Sequence, residues 1–350
     1  MNIRSFEAIR YRGINGLSLN NLSRANLITG VNGIGKTALI EAIWLFTGRH
    51  NTPLLWNANV QRSFSPVVDP VAELSDGFIE IRGVENQKEH KWKVEFEPIG
   101  SVGEVLVNAG DTQETIQIPV VGELHTWIDG KKINSKNRGA IHQTKLGAVL
   151  YRSPPRPPEK RPCIIEGTNW QLPTPDEHLQ RYSDIVKSGF KKALIEAVNL
   201  ILPRIKDLEL LTDKTGIVHL SANTSNAPKN AQLPLHSLGG GAVRLFRLYL
   251  SLFTARDGIV VIDEIENGMH YSVLPELWRL VRSAMHEWDV QFVATTHSAE
   301  CIEAAMAAFE TEPDDLSIHK LYTDESGSVK ATTFTGETLE GARDLDLEIR

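Results

Sequence analysis

The 350-residue sequence is poor in cysteine, in long apolar runs and in net positive charge. Its two cysteines, Cys163 and Cys301, show no CxxC spacing. A disulfide framework and a cysteine zinc cluster are therefore excluded, and both residues read as reduced structural thiols. No stretch approaches the roughly 18 uncharged apolar residues of a membrane-spanning helix. The opening MNIRSFEAIRYRG has no apolar core of the kind a secretory signal needs. These absences point to a cytoplasmic protein that does not enter a membrane. The formal charge is −7 and the pI about 5.9, which excludes a dedicated nucleic-acid coat, since phosphate binding needs a basic face. Two local basic runs remain, Lys131, Lys132, Lys136 and Arg138, then Arg152, Arg156, Lys160 and Arg161. Such runs ordinarily belong to solvated loops; DNA contact is the alternative. Internal repeats, low-complexity tracts and sustained heptads are missing as well, so a long coiled-coil arm is not expected.

What is present begins with a glycine loop. Ile3 to Tyr11 reads as extended, Gly13 and Gly16 as turn residues, and Asn26 to Thr29 as a short strand. The strand feeds Gly30-Val31-Asn32-Gly33-Ile34-Gly35-Lys36-Thr37, and Ala38 to Thr47 follows as a helix ended by Gly48. In GxxxxGK[ST] the glycines let consecutive N–H groups wrap phosphates at a helix N-terminus. Lys36 then reaches the β- and γ-phosphates of ATP, and the Thr37 hydroxyl ligates Mg²⁺.

Three further segments carry candidate chemistry. Ile259 to Ile262 is a fully apolar run ending in Asp263 and Glu264, as expected of a central parallel strand delivering two carboxylates to its carboxyl end. Asp263 suits Mg²⁺, and Glu264 the orientation or deprotonation of an attacking water. After the next apolar strand, Phe292 to Ala294, come Thr295-Thr296-His297-Ser298. His297 can donate a hydrogen bond to a γ-phosphate, while Ser298 caps a helix from Ala299 to Phe309. Ser237-Leu238-Gly239-Gly240-Gly241 precedes a helix from Val243 to Thr254. Three glycines before a helix N-terminus can cradle phosphate, although glycine clusters more often serve turns.

Between these segments the period changes. From about Phe78 to Tyr151 apolar residues alternate with charged ones, as in KWKVEFE, and ETIQIPV and LHTWIDGKK add further strands. A proline-rich link, Ser153 to Pro162, leaves this region, and Thr174-Pro175-Asp176-Glu177 opens a helical stretch to about Leu202 that Gly189 can split. A hairpin turning near Glu325-Ser326-Gly327 closes the pattern.

Taken in order, the four segments resemble the ABC ATPase superfamily, most of all its soluble RecF, SMC and overcoming-lysogenisation-defect (OLD) ATPases. IDEIENGMHYSVLPELW and FVATTHSAECIEA look like the stand-alone OLD-like AAA ATPases of bacterial defence loci, and SLGGGAVRLFRLYL resembles their signature segment. The likeness implies an α/β fold, an ABC-type P-loop ATPase head over residues 1–350. Its central sheet is mostly parallel, with an antiparallel β lobe inserted at 75–152 and a short helical lobe at 165–235. Residues 236–350 carry the Walker-B acids, the histidine loop and the hairpin.

It also implies a head-to-head homodimer. Asn32, Gly33, Gly35, Lys36, Thr37, Asp263, Glu264 and His297 act in one subunit, and Ser237, Gly239, Gly240 and Gly241 in trans across a sandwiched ATP. Two departures stand out. The serine of the family's LSGGQ falls on Gly239, and no glutamine has a distinctive Q-loop context, Gln143 and Gln171 being the candidates. OLD nucleases carry a Toprim nuclease domain after the ATPase. Only 53 residues follow His297 (350 − 297), which implies that a nuclease or toxin effector is a separate protein. A RecF-like DNA-repair ATPase and a slowly hydrolysing ATP-gated scaffold are the alternatives.

Overall fold

In the computed structural model, residues 3–49, 78–109, 112–133, 139–143, 149–152, 162–167, 175–212, 218–225 and 232–336, with 338, 339 and 341, are described. The chain opens with an antiparallel pair, β1 (Ile3–Tyr11) and β2 (Ile14–Leu19), and continues into β3 (Ala25–Thr29), buried at every position. The helix that follows, α1 (Lys36–Thr47), begins two residues before the expected Ala38, because the phosphate loop already turns helical at its lysine.

Among the described residues, seven strands come next. They are β4 (Phe78–Glu85), β5 (Lys88–Ala109), β6 (Thr112–Ile128), β7 (Lys131–Lys132), β8 (Gly139–Gln143), β9 (Val149–Arg152) and β10 (Cys163–Glu166). ETIQIPV and LHTWI are not separate strands. They run together in β6, with an irregularity between Val120 and Gly122 on its β8 side, and the chain turns at Asp129-Gly130 into β7. β4 to β9 extend the β1–β2 pair into one eight-stranded antiparallel sheet, ordered β2-β1-β4-β5-β6-β8-β9 with β7 paired to β6.

The helical region divides at Gly189, whose φ of 82° ends the first helix, into α2 (Pro175–Lys187) and α3 (Lys191–Asn199). A three-stranded sheet follows, β11 (Ile205–Thr212), β12 (Val218–Thr224) and β13 (Gln232–Pro234). Then come α4 (Gly240–Thr254), β14 (Ile259–Ile262), α5 (Leu274–Trp288), β15 (Gln291–Thr295), α6 (Ala299–Ala308), and the hairpin β16 (Leu316–Thr323) and β17 (Val329–Thr335).

The central sheet runs β10-β14-β15-β3-β16-β17. The first five are parallel and β17 closes the edge antiparallel. β14 and β15, like β3, are buried residue for residue, as strands covered on both faces must be. Parallel pairing brings their carboxyl ends to one edge. Gly258, just before β14, lies so close to the neighbouring chain that a Cβ there would sit 2.1 Å from the Pro162 carbonyl oxygen. Only glycine lets β10 draw up beside β14.

Two apolar cores flank this sheet. One gathers α2 to α6, with Trp278, Phe292 and Phe309 in edge-to-face contact. The other gathers α1 with β1, β2, β4 and β5, including Phe6 against Phe46. α1 is apolar nearly all round because it is enclosed between the two sheets. Its polar residues are paired inside: Glu41 with Arg12 at 3.0 Å and Tyr11 at 3.2 Å, while Arg49, just beyond the helix, binds Glu85 at 2.7 Å. Gln291 joins the sheets, accepting from the Ile3 N–H at 2.8 Å and donating to the carbonyls of Ile3 and Ser23 at 2.9 Å each.

His319 on β16 is fully buried against Asn26 and Thr333, and burial pushes its imidazole down to about 3. In the unfolded chain the ring takes up a proton near pH 6.5 that the folded chain refuses. Its stabilising effect is therefore complete above about 6.5 and is lost as pH falls toward 3, by up to about 1.4 kcal/mol per pH unit. Melting midpoints between pH 7 and 4 should fall less steeply in H319Q than in wild type. Parallel curves would show that another group controls acid unfolding.

Candidate nucleotide site

The site lies on the edge where β3, β14 and β15 end. Gly30, Gly33 and Gly35 have φ of 138°, 82° and 107°, and Gly35 caps α1 in the left-handed region. This backbone, closed to most side chains, turns the loop around the helix N-terminus while Val31, Asn32 and Gly33 stay exposed. Lys36 is buried and folds back over the loop, donating to the carbonyls of Gly30 at 2.6 Å and Val31 at 3.2 Å. Burial lowers its ammonium pKa, and Asp263, Glu264 and Glu266 oppose that shift. The loop thus holds a cation over exposed backbone, as a polyphosphate requires.

Asp263, just beyond β14, joins the first turn of α1 to the end of β15. Its Oδ2 accepts from the Thr37 hydroxyl at 2.8 Å and its Oδ1 from the Thr295 hydroxyl at 2.6 Å. Thr295 in turn accepts the Glu264 N–H at 2.8 Å, so one hydroxyl bridges both acidic residues. Glu264 itself sits at φ 50°, left-handed for a residue with a side chain. Arg244, on the second turn of α4, secures that turn by donating to the carbonyls of Asp263 at 3.0 Å and Glu264 at 2.6 Å. Thr37 and Asp263 supply a hard, all-oxygen donor pair beside the lysine, which fits Mg²⁺ with its retained waters.

His297 follows β15, exposed, with its backbone N–H donated to Glu266 Oε1 at 3.1 Å. Ser298 caps α6 by accepting from Cys301 N–H at 3.1 Å, so the capping role and the place at the strand end coexist. The signature segment is arranged differently from its expected helix start at Val243. Ser237 and Leu238 close a 3₁₀ turn, Gly239 caps with φ 96°, and α4 begins at Gly240. Gly241 approaches Gly268, just beyond the acidic turn, where a Cβ would lie 3.1 Å from the carbonyl oxygen.

Several residues that matter here gave no local signal. Glu166, at the end of β10 beside β14, receives Arg247 at 2.5 Å and Ser251 at 2.7 Å from α4, and its carbonyl accepts the Asp263 N–H at 2.8 Å. The Q-loop candidates lie elsewhere. Gln143 is in β8 of the antiparallel sheet, and Gln171 falls outside the described residues. Thr295 and Arg244 stood within quoted segments, but their partners are distant in sequence. Of the basic runs, Lys131 and Lys132 are exposed on β7, with Lys132 5.1 Å from the Trp127 ring centre. Arg152 ends β9, and Lys136, Arg138, Arg156, Lys160 and Arg161 lie outside the described residues.

Comparison with known proteins bears on the fold that carries this geometry. Residues 157–303 match the family model described as "AAA domain, putative AbiEii toxin, Type IV TA system". The chain is 23% identical over 372 residues to the "ATP/GTP phosphatase" of Helicobacter pylori (strain ATCC 700392 / 26695), spanning 97% of both. It superposes on an SMC head bound to the C-winged helix domain of ScpA with a TM-score of 0.57 and 12% identity, over 97% of this chain and 100% of that one. An SMC head with an extended coiled coil, bound to the C-terminal domain of ScpA derived from Pyrococcus furiosus, gives 0.53 and 12% over 99% of each chain. The fold is that of an ABC-type P-loop ATPase head. The family match covers Glu166, the glycine segment, Asp263, Glu264 and His297 and begins after the phosphate loop. The ATPase thus carries its loop and its acids in distant parts of the sequence, joined by the sheet. Among the described residues no helix is long and apolar enough to cross a membrane.

Removing the Thr295 hydroxyl takes away one of the two hydroxyl hydrogen bonds on Asp263 and the bond that Thr295 accepts from the Glu264 N–H. Losing hydrogen bonds of this kind at a charged site costs on the order of 1.5–3 kcal/mol, equivalent to roughly a ten- to hundredfold rate loss. T295V should show that loss in phosphate release, with ATP affinity measured by fluorescent-nucleotide titration changed less than about threefold. Wild-type turnover in T295V would show that the bridge is dispensable.

Proposed function

We propose that the chain is an OLD-like ATPase whose nucleotide-driven dimerisation regulates a separate effector, a nuclease or toxin subunit in anti-phage defence. The observation that carries the ATPase part is the chain of hydrogen bonds from Thr37 through Asp263 to Thr295 and Glu264. It places a phosphate-loop hydroxyl, a metal-ligating carboxylate and a candidate base on adjoining strand ends. Lys36 would bind the β- and γ-phosphates, with Asn32, Gly33 and Gly35 lining their approach. Thr37 and Asp263 would hold Mg²⁺, which screens phosphate charge when bound. Glu264 takes the proton of the attacking water, and His297 completes the edge. The effector reading is supported by the toxin and toxin–antitoxin wording of the matched family and by the OLD-like IDEIENG and ATTHS segments.

In a head-to-head dimer Ser237 and Gly239 to Gly241 would face the partner's nucleotide. One observation favours slow turnover, as in an ATP-gated scaffold that holds its effector until triggered. Gly239 stands where the signature serine is expected, and Ser237 is exposed in the preceding 3₁₀ turn. The hydroxyl contact in trans is then displaced or lost.

Removing a general base costs roughly 10²–10⁴ in rate. E264Q should therefore lose turnover by about that factor, retain ATP and accumulate as a dimer in light scattering with ATP and Mg²⁺, whereas K36A should not bind ATP. Equal, negligible turnover in wild type and E264Q would replace the hydrolysing switch with the scaffold. A monomeric ATP-loaded E264Q would end the dimerisation reading.

A further inference from the structure

Glu266 is a charged residue at the site for which the hydrolysis scheme gives no task. It stands two residues beyond Glu264, with its side chain only 11% exposed. Its Oε1 accepts the His297 backbone N–H at 3.1 Å and lies 3.2 Å from Nδ1 of the same residue's ring. Its Oε2 is buried and meets no hydrogen-bond partner among the described residues. The two sides of this contact are anchored independently, Glu266 after β14 and His297 after β15. The turns are joined by the Ile265 N–H donating to the Thr295 carbonyl at 3.1 Å. Glu266 also acts electrostatically on Lys36 together with Asp263 and Glu264, which places it within the charge field of the phosphate loop.

A carboxylate only accepts, so the close approach of Glu266 Oε1 favours the proton on the facing ring nitrogen, Nδ1. In the neutral imidazole that leaves Nε2 as an acceptor. Phosphate oxygens are acceptors too and offer such a nitrogen nothing, whereas water offers an O–H. We propose that Glu266 is a positioning residue that fixes His297 as the Nδ1–H tautomer with Nε2 as its free acceptor. Through that acceptor His297 orients the attacking water alongside Glu264, in place of donating to the γ-phosphate. A buried carboxylate that selects a histidine tautomer is known to control rate without touching substrate. The inference rests on the ATPase reading above and assigns a task within it.

The test uses the full chain and two readouts. In long-range ¹H–¹⁵N spectra near pH 8, the His297 ring, assigned by its loss in H297A, should show a protonated Nδ1 and a bare Nε2. In E266A the proton should move to Nε2 in a large part of the population. In ATP turnover, E266A should lose roughly tenfold or more in kcat, the usual scale for a residue that orients another, with KM changed less than about threefold. E266Q keeps an acceptor oxygen at the same place, so it should recover most of that rate, and it serves as the probe should E266A fail to fold. E266A/H297A should be no slower than H297A, because Glu266 acts only through the ring.

Wild-type His297 with a bare Nδ1, or with both nitrogens protonated, would overturn the assignment. So would E266A turning over at the wild-type rate, or losses in E266A and H297A that multiply in the double variant. Wild type without turnover would sink the ATPase reading instead, and the spectra would still decide the role of Glu266.

Discussion

A helix with almost no wet face has to be enclosed, and the enclosure of α1 is the constraint on which the rest of the structure depends. Leu39, Ile40, Trp44, Leu45 and Phe46 point to different sides around the helix, and all five are buried. Water would penalise any face left open by roughly 25 cal/mol for each Å² of apolar surface. The antiparallel sheet closes one side and the parallel sheet the other. The helix N-terminus then emerges at the carboxyl edge of the parallel strands, which is where Lys36 and Thr37 are needed. The antiparallel sheet is therefore part of the candidate nucleotide site's support, because it encloses the helix that carries Lys36 and Thr37.

The same edge explains why α4 matters. Its first turn is the glycine segment, and farther along the helix it meets the acidic turn through Arg244 and the end of β10 through Arg247 and Ser251. A shift of α4 along its axis would be felt at the Glu264 carbonyl. Whatever engages the exposed glycines from outside is thus connected to Glu264 by one rigid element and one guanidinium. Burial lowers the pKa of that guanidinium, with the charge of Arg247 adding to the effect, which makes the two backbone carbonyls important partners for it.

The sequence made the strands legible where burial is two-sided, because β14 and β15 show no polar alternation. It also revealed the phosphate loop and the Ser298 cap, whose signals lie within a few residues. β10 was not legible. Its four residues, CIIE, follow a proline-rich link, and nothing local says that they pair with β14; that follows from the bare approach of Gly258 to Pro162. ETIQIPV and LHTWI read as separate strands, yet β6 runs through Pro119 and Gly122 and joins them. Thr295, Arg244, Glu166 and Glu266 escaped for a common reason. Each owes its meaning to which strand or helix is its neighbour, and that order is set by the whole sheet.

Glu264 adopts φ 50° in the turn that carries the acidic pair. A side-chain-bearing residue in that region costs on the order of 1–3 kcal/mol against an unstrained one. Arg244 on its carbonyl and Thr295 on its N–H hold it there. Glycine would adopt the same backbone without strain, so the molecule is less stable at this residue than its fold allows. Under the proposed role of Glu264 as base, thermal robustness and turnover are opposed at a single backbone torsion. A lineage drifting toward greater stability could relax this turn and survive as a nucleotide-binding protein that no longer turns over.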